Sequence, residues 1–257
     1  MADKKAYHPD GLHEIYFQEK NHIYIDNLDN KYISCTSIFK PFFLFDSVAV
    51  SEKCAVSDNI KYAGRNPEEI RKEWLEEGLR GSSEGTNIHE YAEWKISQER
   101  SGKVTTPVSK SCELKFKQVG KIINYLMTKY EFLKAEMIVF SPILKVAGQI
   151  DLLMYDEKTN TILIIDWKTN KQISTENFFQ NIKKPFEYLQ QTALNQYTLQ
   201  LSLYEFLLKK ERYFPRVKNY KRILIHITEK RATPIHLEFF EYEINQILNG
   251  IKKHDKK

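Results

Sequence analysis

The sequence feature that most constrains this chain is a pair of apolar strands that each carry an aspartate. The first strand contains residues 148–151 (GQID), and the second contains residues 164–169 (IIDWKT). A polar segment at 156–160 separates them, and the β-branched run that follows it predicts an antiparallel hairpin. In such a hairpin, Asp151 and Asp166 lie near the same end of neighbouring strands. The fold therefore has to bury a two-stranded element that carries charge in its interior.

A third charged residue joins this pair of aspartates. Asp166 and Lys168 are two positions apart, so on a strand they project from one face. Two carboxylates and an ammonium are costly to hold together unless a cation and a phosphate belong there. Carboxylate oxygens are the ligands that Mg²⁺ and Mn²⁺ prefer, and we expect one or two such ions. Charges at strand ends are usually solvated, but Asp166 lies between Ile165 and Trp167, which predicts burial.

This arrangement resembles the PD-(D/E)XK nuclease superfamily, and specifically its RecB-like exonuclease branch. Upstream, residues 85–89 (GTNIH) resemble the helical Gly-Thr-x-x-His motif of that branch. The resemblance implies that His89 joins the metal site. Glu136 is similar to the acidic residue that opens the strand before the first aspartate. The main-chain carbonyl of Trp167 is a further metal ligand that the resemblance implies.

Downstream, Gln200 and Tyr204 resemble the Gln-x-x-x-Tyr signature of the branch. They are four residues apart, so they share one face of a helix. The resemblance covers residues from about 81 to 208, and it departs from the superfamily name at Ile150, where proline is expected. It implies that Gln200 and Tyr204 hold the substrate phosphate or the Lys168 side of the site.

The predicted fold class is α/β, with a mixed central sheet flanked by helices, as in a restriction-endonuclease-like core. We expect residues 1–257 to form a single nuclease domain, with the core at 110–240 and a helical cap or arch at 35–100. The predicted strands are 15–17, 22–25, 32–34, 222–228 and 234–239, besides the hairpin. The predicted helices are 67–79, a separate helix around His89, 110–133, 188–210 and 241–253.

The resemblance implies a metal-dependent deoxyribonuclease. The absence of an iron–sulfur motif makes the chain most similar to the mitochondrial genome maintenance exonuclease and to phage and viral exonucleases. These relatives imply a DNA exonuclease that prefers single-stranded ends and acts in replication, repair or recombination. The sequence has no phosphate-binding loop of a motor ATPase, so the chain is expected to be either a free-standing nuclease or the nuclease partner of a separate helicase or replication protein.

Two other function classes stay open. One is an RNA endonuclease of the cap-snatching type, which the Gln-x-x-x-Tyr signature disfavours. The other is a non-catalytic nucleic-acid-binding module, which the intact Asp151, Asp166 and Lys168 disfavour. Tyr91 and Trp94, on the His89 helix, are predicted either to stack on bases of a single strand or to pack in the core.

Composition limits the cofactors and the compartment. The formal net charge of +5 is compatible with a nucleic-acid partner. The three cysteines are widely spaced, which favours free thiols in a reducing intracellular compartment and excludes a cluster held by four cysteines. We find neither an apolar run long enough for a membrane span nor a signal-peptide core, so no membrane partner and no secretion are expected.

Overall fold

The computed structural model describes residues 4–101, 112–177 and 180–254, which form one sheet with helices on both faces. The strands are β1 (Lys4–Tyr7), β2 (Glu14–Gln18), β3 (Ile23–Asp26), β4 (Lys31–Ser34), β5 (Glu131–Ser141), β6 (Val146–Asp156), β7 (Thr161–Lys168), β8 (Asn219–Ile227) and β9 (Ala232–Leu237). The helices are α1 (Ser47–Ala55), α2 (Pro67–Ser101), α3 (Glu113–Lys129), α4 (Ala193–Lys210) and α5 (Glu241–His254).

The nine-stranded sheet is mixed. Its main path runs β1-β2-β3-β4-β6-β7-β8-β9, and β5 pairs with β6 outside this path. The β4–β6 and β7–β8 pairs are parallel, whereas the other neighbours are antiparallel. The predicted α/β class with a mixed sheet between helices is therefore confirmed.

Alternating side chains of β7 bind the sheet to its two helical layers. Leu163, Ile165 and Trp167 are buried against α2 and α3 on one face. Ile162 and Ile164 are buried against α4 and α5 on the other. This period of two is what a fully buried strand requires, and it explains why every residue of β7 before Lys168 is buried.

One edge of the central strand β6 pairs with two different strands in succession. Its first residues pair with β4, through Ile33 opposite Val146. Its last residues pair with β7, beginning at Leu152 opposite Ile165. Residues 148–151 lie between these two pairings, and we call the space beside them the fork cavity. The aspartate-bearing motif thus occupies the one part of β6 where the sheet opens.

Gly148 is needed where α4 crosses the fork. A Cβ atom at this position would lie 2.6 Å from Tyr204 Cε1 and 2.7 Å from Cys35 Sγ. Tyr204 and Cys35 are both buried, so neither side chain can move aside easily. The close approach of α4 to the sheet at this point therefore depends on the absence of a side chain at Gly148.

We expect Gly148→Ala to lower the free energy of unfolding by about 1–3 kcal/mol, the usual cost of overpacking a core. Gly81→Ala is the matched control, because Gly81 is exposed on α2 and a Cβ there would meet nothing within 4 Å. That control should be neutral or stabilising by about 0.5–1 kcal/mol. Urea unfolding of both variants measures the difference, and equal stabilities would contradict the close approach.

Three predicted helix boundaries are wrong. The helices predicted at 67–79 and around His89 are one continuous helix, α2, which has no proline after its first residue to end it. The helix predicted to reach residue 133 ends at Lys129, because pairing with β6 starts at Glu131. The helix predicted from residue 188 begins at Ala193, where the Thr192 side chain caps it by accepting a hydrogen bond from Asn195 N.

Within the described residues, we find no helix with the length and apolar character that crossing a bilayer requires.

Candidate active site

The two hairpin aspartates meet at the mouth of the fork. Asp151 and Asp166 each lie one position beyond the Leu152–Ile165 pair that opens the β6–β7 ladder. Both are buried, and the main-chain N–H of Trp167 donates a 2.8 Å hydrogen bond to Asp151 Oδ2. The fork cavity that they line has a volume of about 230 Å³. The structure thus brings the two carboxylates to one concave site.

Lys168 lies on the same face of β7 as Asp166. Its ammonium is in contact with Asp166 Oδ2, and its Nζ lies 4.9 Å from the centre of the Tyr197 ring. Burial by itself lowers the pKa of Lys168, but the Asp166 and Asp151 carboxylates more than offset this and raise it. Lys168 is therefore a cation inside the cavity at neutral pH.

Helix α4 presents the Gln200 and Tyr204 pair to the site. Gln200 Nε2 lies 3.2 Å from Asp166 Oδ1 and 3.2 Å from the Tyr204 hydroxyl, and it donates to both. Burial raises the pKa of Tyr204 well above its ordinary value, so the phenol stays neutral. Because the two residues share one helix face, Gln200 contacts the second aspartate directly, and Tyr204 is joined to it through Gln200.

His89 reaches Asp151 from α2, on the opposite face of the sheet. Its Nδ1 atom lies 3.4 Å from Asp151 Oδ2, and its Nε2 atom lies 3.2 Å from the Trp167 carbonyl oxygen. Ile88 and Ala92, the neighbours of His89 on α2, are buried and anchor the helix to the sheet. The histidine, the first aspartate and the Trp167 carbonyl are thus close together, as the sequence motifs predict.

Glu136 faces Asp151 across the β5–β6 pair, between the paired positions Ala135–Leu152 and Met137–Ile150. Its φ of 49° is in the left-handed region, which a residue with a side chain seldom adopts. Such backbone strain is concentrated at functional sites. The prediction that Glu136 opens its strand is wrong, because β5 begins at Glu131 and Glu136 lies in the middle of it. The residue type gives no sign of the positive φ.

Two acids of the site have raised pKa values because they are buried close to other carboxylates. Burial, and then the Asp151 carboxylate, raise the pKa of Glu136 to about 8. Burial raises the pKa of Asp151 to about 6, with Asp166 adding to the shift and His89 opposing it. Without another cation, Glu136 therefore holds a proton at neutral pH and Asp151 gains one as the pH falls through about 6, and a bound cation would displace these protons.

Several cavity residues were missed by the sequence reasoning. The N-terminal strands and the segment after β4 form one wall of the fork cavity, and Gln149 contributes from β6. The strands were predicted, but the pairing of β4 with β6 is long-range and parallel and leaves no local signal. The residues concerned are His22, Tyr24, Ser34, Cys35 and Thr36.

The two aromatic residues next to His89 are not equivalent. Tyr91 stacks on Phe116 of α3 with ring centroids 4.3 Å apart, so it belongs to the packing between α2 and α3. Trp94 lies 5.3 Å from Tyr91 in a tilted arrangement. Of the two predicted alternatives, stacking on bases or packing in the core, packing in the core therefore applies to Tyr91.

A sequence model of the PD-(D/E)XK nuclease superfamily matches residues 49–254, which is most of the chain. This chain belongs to the PD-(D/E)XK nuclease superfamily. The matched segment contains every site residue predicted from the sequence, from His89 on α2 to Tyr204 on α4, whereas the cavity wall at residues 22–36 lies before it. The fork cavity is thus the candidate active site of a PD-(D/E)XK nuclease.

Two other comparisons stand beside the superfamily match. No curated protein matches the chain. A crystal structure of a candidate exonuclease from Eubacterium rectale is similar at 14% sequence identity, with a TM-score of 0.39. That similarity covers 67% of this chain and 64% of the other, so this chain spans less than two thirds of that protein.

The fork cavity has a donor set that fits the divalent metals used by PD-(D/E)XK nucleases. One ligand atom from each of His89, Glu136 and Asp151 lies within 4.8 Å of the others. Asp166 is outside this trio, because its carboxylate contacts Lys168 and Gln200. Its buried Oδ2 contacts the Lys168 ammonium and would exchange this partner for the ion if it served as a further ligand. Oxygen atoms with one imidazole suit Mg²⁺ and Mn²⁺.

Proposed function

We propose that this PD-(D/E)XK nuclease is a divalent-metal-dependent DNA exonuclease of the RecB-like branch that prefers single-stranded ends. The observation that carries the proposal is the contact of Gln200 with both Asp166 and Tyr204. It joins the Gln-x-x-x-Tyr pair, which resembles the signature of DNA-processing relatives, to the carboxylate beside Lys168. The proposed roles are in DNA replication, repair or recombination.

In this proposal, His89, Glu136, Asp151, Asp166 and the Trp167 carbonyl hold one or two Mg²⁺ or Mn²⁺ ions. The bound metal supplies a Lewis acid that polarises a phosphodiester oxygen and lowers the pKa of a water ligand. The protein's part is to keep these donors converged in a buried cavity, where they need no rearrangement when substrate arrives. Glu136 has to lose its proton for this, and so does Asp151 at a pH below about 6, which couples metal binding to pH.

Lys168 and α4 are proposed to act on the substrate side. The Lys168 ammonium can orient the attacking water and stabilise the negative charge that develops on the phosphate. Gln200 fixes the Asp166 carboxylate by donating a hydrogen bond to it. The neutral Tyr204 hydroxyl accepts a second hydrogen bond from Gln200, which holds the Gln200 amide in place. Tyr197 holds the Lys168 ammonium over its ring, which restricts the positions that the ammonium can take.

We further propose that residues 1–257 form a single nuclease domain, with residues 35–100 as a helical cap or arch over the fork. The α2 helix supports this proposal, since it carries His89 to the site and also packs against α1. A separate helicase or replication protein would then deliver the strand to the cap.

We expect circular single-stranded DNA to be cut much more slowly than the same molecule linearised, at equal Mg²⁺. A cap over a small cavity admits a flexible end by threading and hinders a strand that has no end. Gel analysis of both substrates measures the rates, and the control is a mixture of the two DNAs in one reaction, which excludes inhibition by the circular form. Equal rates on the circular and the linear DNA would mean that the protein is an endonuclease. That result would leave the proposed metal site unaffected.

The substrate class needs a separate test. End-labelled single-stranded DNA, duplex DNA and RNA of one sequence are compared in Mg²⁺, in Mn²⁺ and in EDTA. We expect single-stranded DNA to be degraded fastest, with binding that weakens as salt is raised. Preferential cleavage of RNA would favour the cap-snatching alternative, and binding without cleavage of any substrate would favour a non-catalytic module.

A further inference from the structure

We infer that the turn between β1 and β2 holds a second metal site, of the zinc type, which we call the turn site. It consists of His8, Asp10 and His13, and one ligand atom from each lies within 4.8 Å of the others. None of these residues lines the fork cavity. The chemistry differs as well, because two imidazoles and one carboxylate favour Zn²⁺ over Mg²⁺.

The two oxygens of Asp10 have separate tasks. Oδ1 accepts hydrogen bonds from the main-chain N–H groups of Leu12 at 2.8 Å and His13 at 3.1 Å, which hold the turn. Oδ2 instead points at the rings, 3.0 Å from His8 Nδ1 and 2.7 Å from His13 Nδ1. The main-chain hydrogen bonds of the turn therefore use Oδ1, while Oδ2 engages the two ring nitrogens, so a cation shared by these three atoms would leave the main-chain hydrogen bonds intact.

The His8 ring presents Nδ1 to the same carboxylate oxygen that His13 contacts. His8 Nδ1 lies 3.0 Å from Asp10 Oδ2, and edge contacts with Phe140 and Tyr213 hold the ring in this orientation. Both histidines thus direct a ring nitrogen toward Asp10 Oδ2, which is the convergence of ligand atoms that a metal ion requires.

Glu211, next to the end of α4, completes the arrangement behind His8. Its Oε2 lies 3.3 Å from His8 Nε2, and both side chains are more than nine-tenths buried. Within the described residues, His8 Nε2 and Glu211 Oε1 have no regular hydrogen-bond partner. A buried carboxylate needs a positive partner, and a metal-bound imidazole supplies one. Carboxylates take this position behind metal-binding histidines, where they fix the ring and increase its basicity.

The spacing suits a small tetrahedral ion. Bonds of about 2.0–2.1 Å to zinc place neighbouring ligand atoms roughly 3.3 Å apart. The turn-site contacts of 3.0 Å and 2.7 Å need only a small outward movement to reach that value. His13 is half exposed, so it can move, while His8 is held by edge contacts with Phe140 and Tyr213. Three protein ligands would leave the fourth position to water. Zinc here would tie the edge hairpin to the end of α4.

The test uses the full chain in the Asp151→Ala background, so that the fork cavity lacks one of its ligands. Calorimetric titration with Zn²⁺ compares this protein with versions that also carry His13→Ala or Asp10→Asn. Asparagine keeps the Oδ1 acceptor and hence the turn, which guards against simple unfolding. His236→Ala, at an exposed histidine on β9, is the matched control.

We expect one Zn²⁺ per chain, with affinity reduced at least tenfold by His13→Ala and by Asp10→Asn and unchanged by His236→Ala. Zinc should also raise the Tm of the Asp151→Ala protein but not that of the His13→Ala version. Absence of zinc binding in the Asp151→Ala protein, or equal affinity after both turn-site substitutions, would overturn the proposal.

Discussion

Asp166→Ala and Asp151→Ala are each expected to reduce single-turnover cleavage of end-labelled single-stranded DNA by about 10³-fold or more. The reason is that a catalytic metal contributes several kcal/mol, and each ~1.4 kcal/mol is a factor of ten in rate. Asp166 contacts Lys168 and Gln200, and Asp151 contacts His89, so each substitution also removes the group that positions its neighbours. DNA binding should survive or strengthen, because a negative charge is lost from a site that meets phosphate.

Glu157→Ala is the matched control for these two variants, since Glu157 is an exposed acid in the turn of the same hairpin. Its cleavage rate should equal that of the unmodified protein. Calorimetric titration with Mn²⁺ should show weakened metal binding for Asp151→Ala and Asp166→Ala but not for the control. Strong residual cleavage by either aspartate variant would contradict the assignment.

Lys168→Ala is expected to reduce cleavage by about 10²–10³-fold while Mn²⁺ affinity is retained or increased. An ammonium has no lone pair, so it cannot bind the metal, yet it stabilises charge on the phosphate. Its removal also frees Asp166 Oδ2, which it now contacts. Metal binding and catalysis should therefore separate in this variant, which distinguishes it from the aspartate variants.

The buried position of Lys168 requires two controls. Its loss leaves the Asp166 carboxylate without its cation, which destabilises a fold by about 3–5 kcal/mol when no metal replaces it. Thermal unfolding with and without Mn²⁺ should show that the ion restores much of this loss. Lys171→Ala, at a largely exposed lysine three positions further along, should leave both cleavage and stability nearly unchanged. Parallel loss of metal affinity and cleavage in Lys168→Ala would contradict the division of roles.

The parts of the site that follow local rules could be predicted from the sequence. Asp151 and Asp166 belong to one hairpin, whose antiparallel pairing is set by a short turn. Gln200 and Tyr204 share a helix face because they are four residues apart. The arrival of His89 beside Asp151 came from the resemblance, since spacing alone says nothing about which strand a helix will face.

The parts that depend on distant pairing or on packing could not be predicted. The cavity wall contributed by Ser34 and Thr36 depends on β4 joining β6 in parallel, far away in the chain. The continuity of α2 depends on its packing against α3 and the sheet, which a local reading of the sequence does not include. The positive φ of Glu136 depends on the strands that surround it, and the residue type does not predict it.

The central claim, that the fork cavity is a metal-dependent nuclease centre, is tested most directly by one assay on the unmodified protein. End-labelled linear single-stranded DNA is incubated with purified protein in Mg²⁺, in EDTA, and in EDTA followed by excess Mg²⁺. We expect rapid cleavage in Mg²⁺, no cleavage in EDTA, and restored cleavage after excess Mg²⁺, with the Mg²⁺-dependent rate of Lys168→Ala lower by about 10²–10³-fold. Undiminished cleavage in EDTA by protein free of contaminating nuclease would contradict the claim.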